Sequence, residues 1–166
     1  GVTADVKLPG SANLSIFQTF NDRWDWMADA QWTGWSTFKN LTFVRTTGSV
    51  LQSTPENFDD TWRFSVGATY KYTDQWKFRG GVAFDQSPVN TSDRTVRVPD
   101  SDRYWLAGGA QYKFSPQLRF DLGLAYITAK KADVNQNEGS TAQNGLVSGH
   151  YDASVFIVSG QVVYSF

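Results

Sequence analysis

Between Ser148 and Phe166 polar and apolar side chains alternate, and the chain closes on Val162-Val163-Tyr164-Ser165-Phe166. Strand residues point to opposite sides with a period of two. On that period Phe156, Val158, Gly160, Val162, Tyr164 and Phe166 share one face, and Ser154, Ile157, Ser159, Gln161 and Ser165 lie mainly on the other. Thr61 to Tyr72 repeats the division, setting Trp62, Phe64, Val66, Ala68, Tyr70 and Tyr72 against Arg63, Ser65, Gly67, Thr69 and Lys71. Leu118 to Tyr126 repeats it again, with Leu118, Phe120, Leu122, Leu124 and Tyr126 opposing Arg119, Asp121, Gly123 and Ala125. One face is apolar along its whole length and rimmed by aromatics at both ends. A lipid belt with interfacial girdles accounts for both features, as in a transmembrane barrel with a polar interior.

Three short connections punctuate the pattern: Asn21-Asp22-Arg23, Thr73-Asp74-Gln75 and Ser115-Pro116-Gln117. They read as tight hairpin turns. Longer polar segments, Ser36 to Asp60, Pro88 to Asp102 and Lys130 to Gly149, lie between them. Short turns on one rim and long loops on the other match the periplasmic and extracellular sides of a bacterial barrel. Traced back from Phe166, the strands fall near 149–166, 117–129, 103–114, 75–86, 61–73, 23–35, 12–20 and 2–8. The expected fold is therefore all-β: a transmembrane antiparallel up-and-down β-barrel of eight strands, one domain over residues 1–166, with both chain ends on the periplasmic side. Closure requires Val2 to Leu8 to pair with the strand ending at Phe166. Leu41 to Arg45 and Ser49 to Gln52, flanking Thr46-Thr47-Gly48, predict a small hairpin above the membrane.

Composition narrows the alternatives. Aromatic content is 16%, mean hydropathy is −0.41 and no run of eighteen apolar residues exists, which excludes helical membrane spans. A net charge of −1 with mixed signs provides no basic patch for nucleic acid. The absence of cysteine removes disulfides and thiol chemistry. No signal peptide precedes Gly1, so a mature form or a fragment is expected.

Four segments carry a resemblance to a known family: Trp32-Thr33-Gly34-Trp35-Ser36-Thr37-Phe38, Thr54-Pro55-Glu56-Asn57-Phe58-Asp59-Asp60-Thr61-Trp62-Arg63, Phe84-Asp85-Gln86-Ser87-Pro88 and Val98-Pro99-Asp100-Ser101-Asp102-Arg103-Tyr104-Trp105. In content, order and spacing they closely resemble the FadL family of outer-membrane long-chain fatty acid transporters, over essentially the whole chain. The resemblance implies a fourteen-stranded monomeric barrel with an amino-terminal hatch in the lumen. The present chain would correspond to its carboxy-terminal eight strands, without the hatch, the early strands or the kinked strand associated with lateral exit. It also implies passive uptake of hydrophobic molecules at the bacterial outer membrane, with the lipid bilayer and fatty acids or detergent-like ligands as partners. The alternative is a structural eight-stranded barrel without transport of its own. Where some members carry a basic residue that holds a ligand carboxylate, Ser53, Thr54 and Pro55 stand here, so a less acidic hydrophobic substrate is also consistent with the chain.

Candidate chemistry follows from the inward face. Arg63, Lys71, Lys77, Arg79, Asp85, Lys113, Arg119 and Asp121 fall there, where charges must pair across strands or meet water. A structural ladder is one reading, and a lining that attracts an acidic head group is the other, with Arg63 and Arg79 favoured for their bidentate fork. Strict alternation turns Trp35 and Trp105 away from Trp32 and Tyr104, toward an apolar pocket with Phe38 and Phe58. The predicted ligand-binding set is therefore Trp35, Phe38, Phe58, Arg63, Arg79 and Trp105. Trp24, Trp62 and Trp76 are expected as interfacial anchors. Asp85, Asp100, Asp102 and Arg103 suggest a loop-closing ion-pair network, and their spacing matches no regular calcium loop. His150 is the sole histidine and no serine motif accompanies it, so an enzyme, a metal site and a cofactor are not expected.

Overall fold

A computed structural model describes residues 1–92, 94–137 and 145–166. Its described strands number twelve: β1 (Val2–Ala4), β2 (Ser11–Thr19), β3 (Trp24–Thr33), β4 (Asn40–Arg45), β5 (Val50–Pro55), β6 (Thr61–Lys71), β7 (Trp76–Asp85), β8 (Arg103–Lys113), β9 (Leu118–Ala129), β10 (Ala132–Asn137), β11 (Leu146–Tyr151) and β12 (Ser154–Tyr164). Seven form one antiparallel sheet in the order β12-β9-β8-β7-β6-β3-β2. Each of the seven has 9 to 12 residues, about what a tilted strand needs to cross a bilayer.

The register sorts side chains as the alternation predicts. Trp32, Trp62, Phe64, Phe84 and Tyr104 occupy paired positions on one face, and so do Val66, Val82, Leu106, Tyr126 and Phe156. Trp62, Phe64, Leu122 and Val162 are 45, 49, 53 and 64% exposed. Among the described residues the buried apolar side chains are Val89, Ala132 and Val134, all outside the seven-stranded sheet. The large apolar side chains thus lie on the outside of the sheet rather than in a water-excluding centre, which suits a lipid surround. Ser154 pairs with Thr128 on the outward set, so the sequence-based placement of Ser154 on the opposite face from Phe156 is corrected.

The three turns share one construction. In Phe20-Asn21-Asp22-Arg23-Trp24, Asn21 Oδ1 accepts the N–H of Arg23 and of Trp24, both at 2.9 Å. Thr73 Oγ1 accepts from Gln75 and Trp76 at 3.3 and 3.0 Å, and Ser115 Oγ from Gln117 and Leu118 at 3.2 and 3.1 Å. A short polar side chain thereby satisfies two backbone donors that the ladder leaves open. Each turn also accepts a bond from the next hairpin: Lys71 N to Arg23 O at 2.7 Å, Lys113 N to Gln75 O at 2.8 Å, Ser165 N to Gln117 O at 2.9 Å.

The eight-stranded closed barrel is not observed. Val2–Ala4 pairs with β4 in a three-stranded sheet, β1-β4-β5, and does not meet β12. Three residues cannot cross a bilayer, and Pro9-Gly10 separates them from β2. With seven crossing strands, β2 starts at the long-loop rim, and the two chain ends leave the sheet on opposite sides. Among the described residues β2 and β12 are therefore open edges. The predicted strand 149–166 also divides: Leu146–Tyr151 pairs with β10 above the rim, and β12 begins after Asp152-Ala153. The 138–144 part of the predicted loop 130–149 lies outside the described residues. The predicted small hairpin is present as β4-β5, with Gly48 at φ 87° in its turn, a backbone that glycine adopts without steric cost.

Candidate functional site at the loop-side end of the polar face

Five of the six predicted ligand-binding residues come together at the long-loop end of the sheet, in two groups. After β3 the chain makes a 3-10 turn at Trp35–Thr37, held by Ser36 N donating to Asp60 Oδ1 at 2.8 Å. The hydrogen bonds from Ser36 to Asp60 lower the carboxyl pKa of Asp60. That tie brings Trp35 edge-on to Phe58 at 6.0 Å between ring centroids, and Phe38 stacks on Phe58 at 5.3 Å. Phe58 N also donates to Phe38 O at 3.3 Å. On the polar face of the sheet, the Arg63 guanidinium stands 5.0 Å from the Trp105 ring centre, a cation–π arrangement.

A pocket of about 240 Å³ takes Trp35 from the first group and Arg63 from the second, and is otherwise mainly polar, with Thr61, Asp85, Asp100 and Arg103 in its lining; Phe38, Phe58 and Trp105 stand outside it. Arg103 lies 3.6 Å from Asp85 and 3.5 Å from Asp100. Arg103 Nε faces Asp85 Oδ2 at 3.6 Å, longer than a hydrogen bond, and Trp105 Nε1 is shielded from solvent with no hydrogen-bond acceptor among the described residues, an arrangement that costs free energy.

The sixth residue, Arg79, is elsewhere. It lies six positions down β7 from Asp85, about 20 Å along the strand, where Nη2 donates to Gln111 Oε1 at 2.9 Å and Nη1 is 3.6 Å from Asp121. It borders a concave floor of about 490 Å³ built largely from Gly67, Gly81, Ala107, Gly109 and Gly123. Alternation had signalled only the faces. The glycine pairs Gly80-Gly81 and Gly108-Gly109 inside predicted strands were the available sign of this floor, because glycine within a strand marks a bend or a close backbone approach.

Above the rim a polar network joins two loops. Asp102 accepts from Ser87 N at 3.0 Å and from Lys130 Nζ at 2.8 Å, Ser87 Oγ donates to Asp100 at 2.9 Å, and Arg94 Nη1 donates to Asp133 O at 3.1 Å. Burial pushes the Asp102 carboxyl up, but the bonds from Lys130 and Ser87 and the charges of Lys130 and Arg94 outweigh it and hold the group below the usual carboxylate value. The same carboxylate raises Lys130. Among the described residues no group of three or more acidic or histidine side chains is arranged to hold a metal. His150 sits on β11 opposite Asp133, 3.5 Å from Asp152. Thr54, where the resemblance led us to look for a cation, lies on β5, and its Oγ1 accepts from Gln52 at 3.2 Å.

Residues 2–166 match the family model described as "Outer membrane protein transport protein (OMPP1/FadL/TodX)". The chain belongs to this family. Its members are outer-membrane transport proteins, not enzymes. One relative is the "Long-chain fatty acid transport protein" of Escherichia coli (strain K12), 34% identical over 131 residues that make up 79% of this chain and 29% of the relative. The chain thus spans about a third or less of the curated relatives it matches. Among solved structures, a Pseudomonas aeruginosa FadL homologue superimposes with a TM-score of 0.82 at 34% identity, covering 97% of this chain and 35% of that one. The CymD monoaromatic hydrocarbon channel gives a TM-score of 0.67 at 27% identity, over 99% and 38%. The FadL-family match agrees with the outward apolar belt, and the open edges β2 and β12 belong to a sheet that covers only part of the matched barrels.

Proposed function

We propose that the chain supplies one wall and the loop-side entry pocket of a passive outer-membrane conduit for hydrophobic molecules. The observation that carries the reading is the grouping at the loop-side end: Trp35 and Arg63 line one pocket, Phe58 packs against Trp35 with Phe38 stacked on it, and Trp105, whose Nε1 has no acceptor among the described residues, lies beneath the Arg63 guanidinium. Such a site suits an apolar body with an acceptor-bearing head. Burying an alkyl tail contributes about 0.8 kcal/mol per methylene, so capture needs no chemistry. The names of the relatives support the same class, one a fatty acid transporter and another a monoaromatic hydrocarbon channel. Thr54 provides no cation, so long-chain fatty acids and less acidic hydrophobic compounds both fall within the proposal. Arg79 serves as a second contact further along the polar face, and the protein acts as a monomer without a cofactor.

A second reading is favoured by the open edges. β2 and β12 present unpaired backbone N–H and C=O groups, which lipid does not tolerate. On that reading the seven strands are a structural wall with no transport until other strands pair those edges. Uptake of a labelled fatty acid into liposomes, compared with a longer FadL relative, separates the two. Uptake abolished by making Phe38 and Phe58 polar supports the pocket, and unchanged retention refutes it.

A further inference from the structure

The polar face of the sheet is interrupted by an apolar zone. Cross-strand register lines up Met27, Gly67, Gly81, Ala107, Ala125 and Ile157 in a row that carries no polar side chain from β3 to β12. The next row toward the long loops changes character along the sheet. On β3 and β6 it holds Asp29 and Ser65, whose hydroxyl donates to Asp29 Oδ2 at 3.2 Å. From β7 to β12 it holds Ala83, Trp105, Ile127 and Val155. Arg63, Asp85 and Arg103 bound the zone on the long-loop side. On the short-turn side Ser159 and Gln161 end it on β12, and Asp121 ends it on β9.

On β8, β9 and β12 the two rows meet in one patch. Val155 and Ile157 are 51 and 42% exposed there, although they point away from the lipid-facing Phe156 and Val158 of the same strand. A wall that had only to meet water would be polar at this height on every strand, as it is on β3 and β6. Taking the surface of Ile127, Val155 and Ile157 out of water is favourable, so this part of the wall suits an apolar body. Position says which body. Trp105, at the near edge of the patch, carries the Arg63 guanidinium 5.0 Å from its ring centre, and Arg63 lines the entry pocket. The patch reaches about 10 Å across from β8 to β12, two interstrand spacings.

We propose that Trp105, Ile127, Val155 and Ile157 form an apolar bench on the inner wall, which holds the alkyl or aromatic body of a cargo molecule while its head is at Arg63. This rests on the conduit reading and deepens it: the body is selected by its apolar surface on β8, β9 and β12, and the chemistry of the head group plays no part in that contact. The same bench therefore serves a charged aliphatic acid and a neutral hydrophobic compound.

The test uses the protein reconstituted in liposomes, with laurate and methyl laurate as probes. In the wild type, photolabelling by laurate carrying a diazirine at its tail end is read peptide by peptide. It is expected to mark Ile127, Val155 or Ile157, and excess unlabelled laurate to reduce the marking about tenfold. V155T/I157T keeps a β-branched side chain at both positions and is expected to weaken binding of laurate and of methyl laurate alike, about tenfold each. V158T, on the lipid face of the same strand, should leave both unchanged. Weakening of laurate alone overturns the bench, because the effect then acts through the head group. Normal uptake of laurate by the wild type with no marking on β9 or β12 also overturns it while transport stands, because whatever covers the patch is then not cargo. Failure of both compounds to enter the wild type removes the conduit reading and the bench with it.

Discussion

Gly108 and Gly109 are consecutive on β8 and differ in what a side chain would meet. A Cβ at Gly108 would come no closer than 3.7 Å to Arg79 O, an ordinary contact. A Cβ at Gly109 would stand 2.8 Å from Leu122 O, a backbone oxygen fixed in the β8-β9 ladder. Forcing atoms into such space costs about 1–3 kcal/mol, while Gly→Ala at a permissive site gains about 0.4–1 kcal/mol through the unfolded chain. Gly109→Ala is therefore expected to be less stable than Gly108→Ala by roughly 2 kcal/mol. Gly123→Ala provides an internal standard: its Cβ would stand 2.6 Å from Ser159 Oγ, the end of a side chain able to rotate, so it should cost less than Gly109→Ala and recover in combination with Ser159→Ala. Urea titration of folding into lipid vesicles, followed by tryptophan fluorescence, measures all three. Equal midpoints for Gly108→Ala and Gly109→Ala would refute the claim that the floor is glycine because two strands approach too closely for anything larger.

Three further outcomes are expected. Phe58→Ala removes the contacts to both Trp35 and Phe38, each aromatic pair being worth about 0.5–1.5 kcal/mol, so ligand retention at the entry pocket should fall while thermal unfolding of the sheet hardly moves. Arg63→Lys keeps the charge but loses the flat guanidinium over Trp105; quenching of tryptophan emission by a brominated fatty acid should weaken, and an unchanged titration would rule out a role for that stacking. Because the folded pKa of Asp102 lies below its ordinary 3.8, its contribution to holding the loops is fully present above that value and is lost as pH falls through the lower folded value. Hydrogen exchange at the Ser87 amide should therefore stay slow as pH falls through the ordinary carboxylate value and lose protection only below it; protection already lost above that value would contradict the assignment.

Period-two sorting was legible because each outward position of the crossing strands meets lipid and each inward one meets polar surroundings, so that Trp62, Phe64 and Val66 could be assigned from local pattern alone. The turns were legible for a similar reason, since Asn21, Thr73 and Ser115 act on neighbours two and three residues away. Val2 to Leu8 misled because a few alternating residues look alike whether they pair in lipid or above it, and the partner, β4, is some forty residues distant. The break at Asp152-Ala153 was hidden because β11 and β12 both alternate, and only the competing pairing with β10 divides them. Individual aromatic and basic residues of the entry pocket could be nominated, but their grouping depends on the Ser36–Asp60 tie across 24 residues, which no period reports. Arg79 was nominated for its fork and stands apart from the others because alternation fixes the face of a residue and not its height.

The repeated joint at the short-turn rim gives the wall a modular seam. Every hairpin ends in the same side-chain lock and presents the same carbonyl to the following one, so the joint carries no mark of which hairpin it belongs to. A hairpin gained or lost by duplication or deletion would leave that seam chemically intact, and circumference could grow or shrink in steps of two strands with the rest of the wall unaltered.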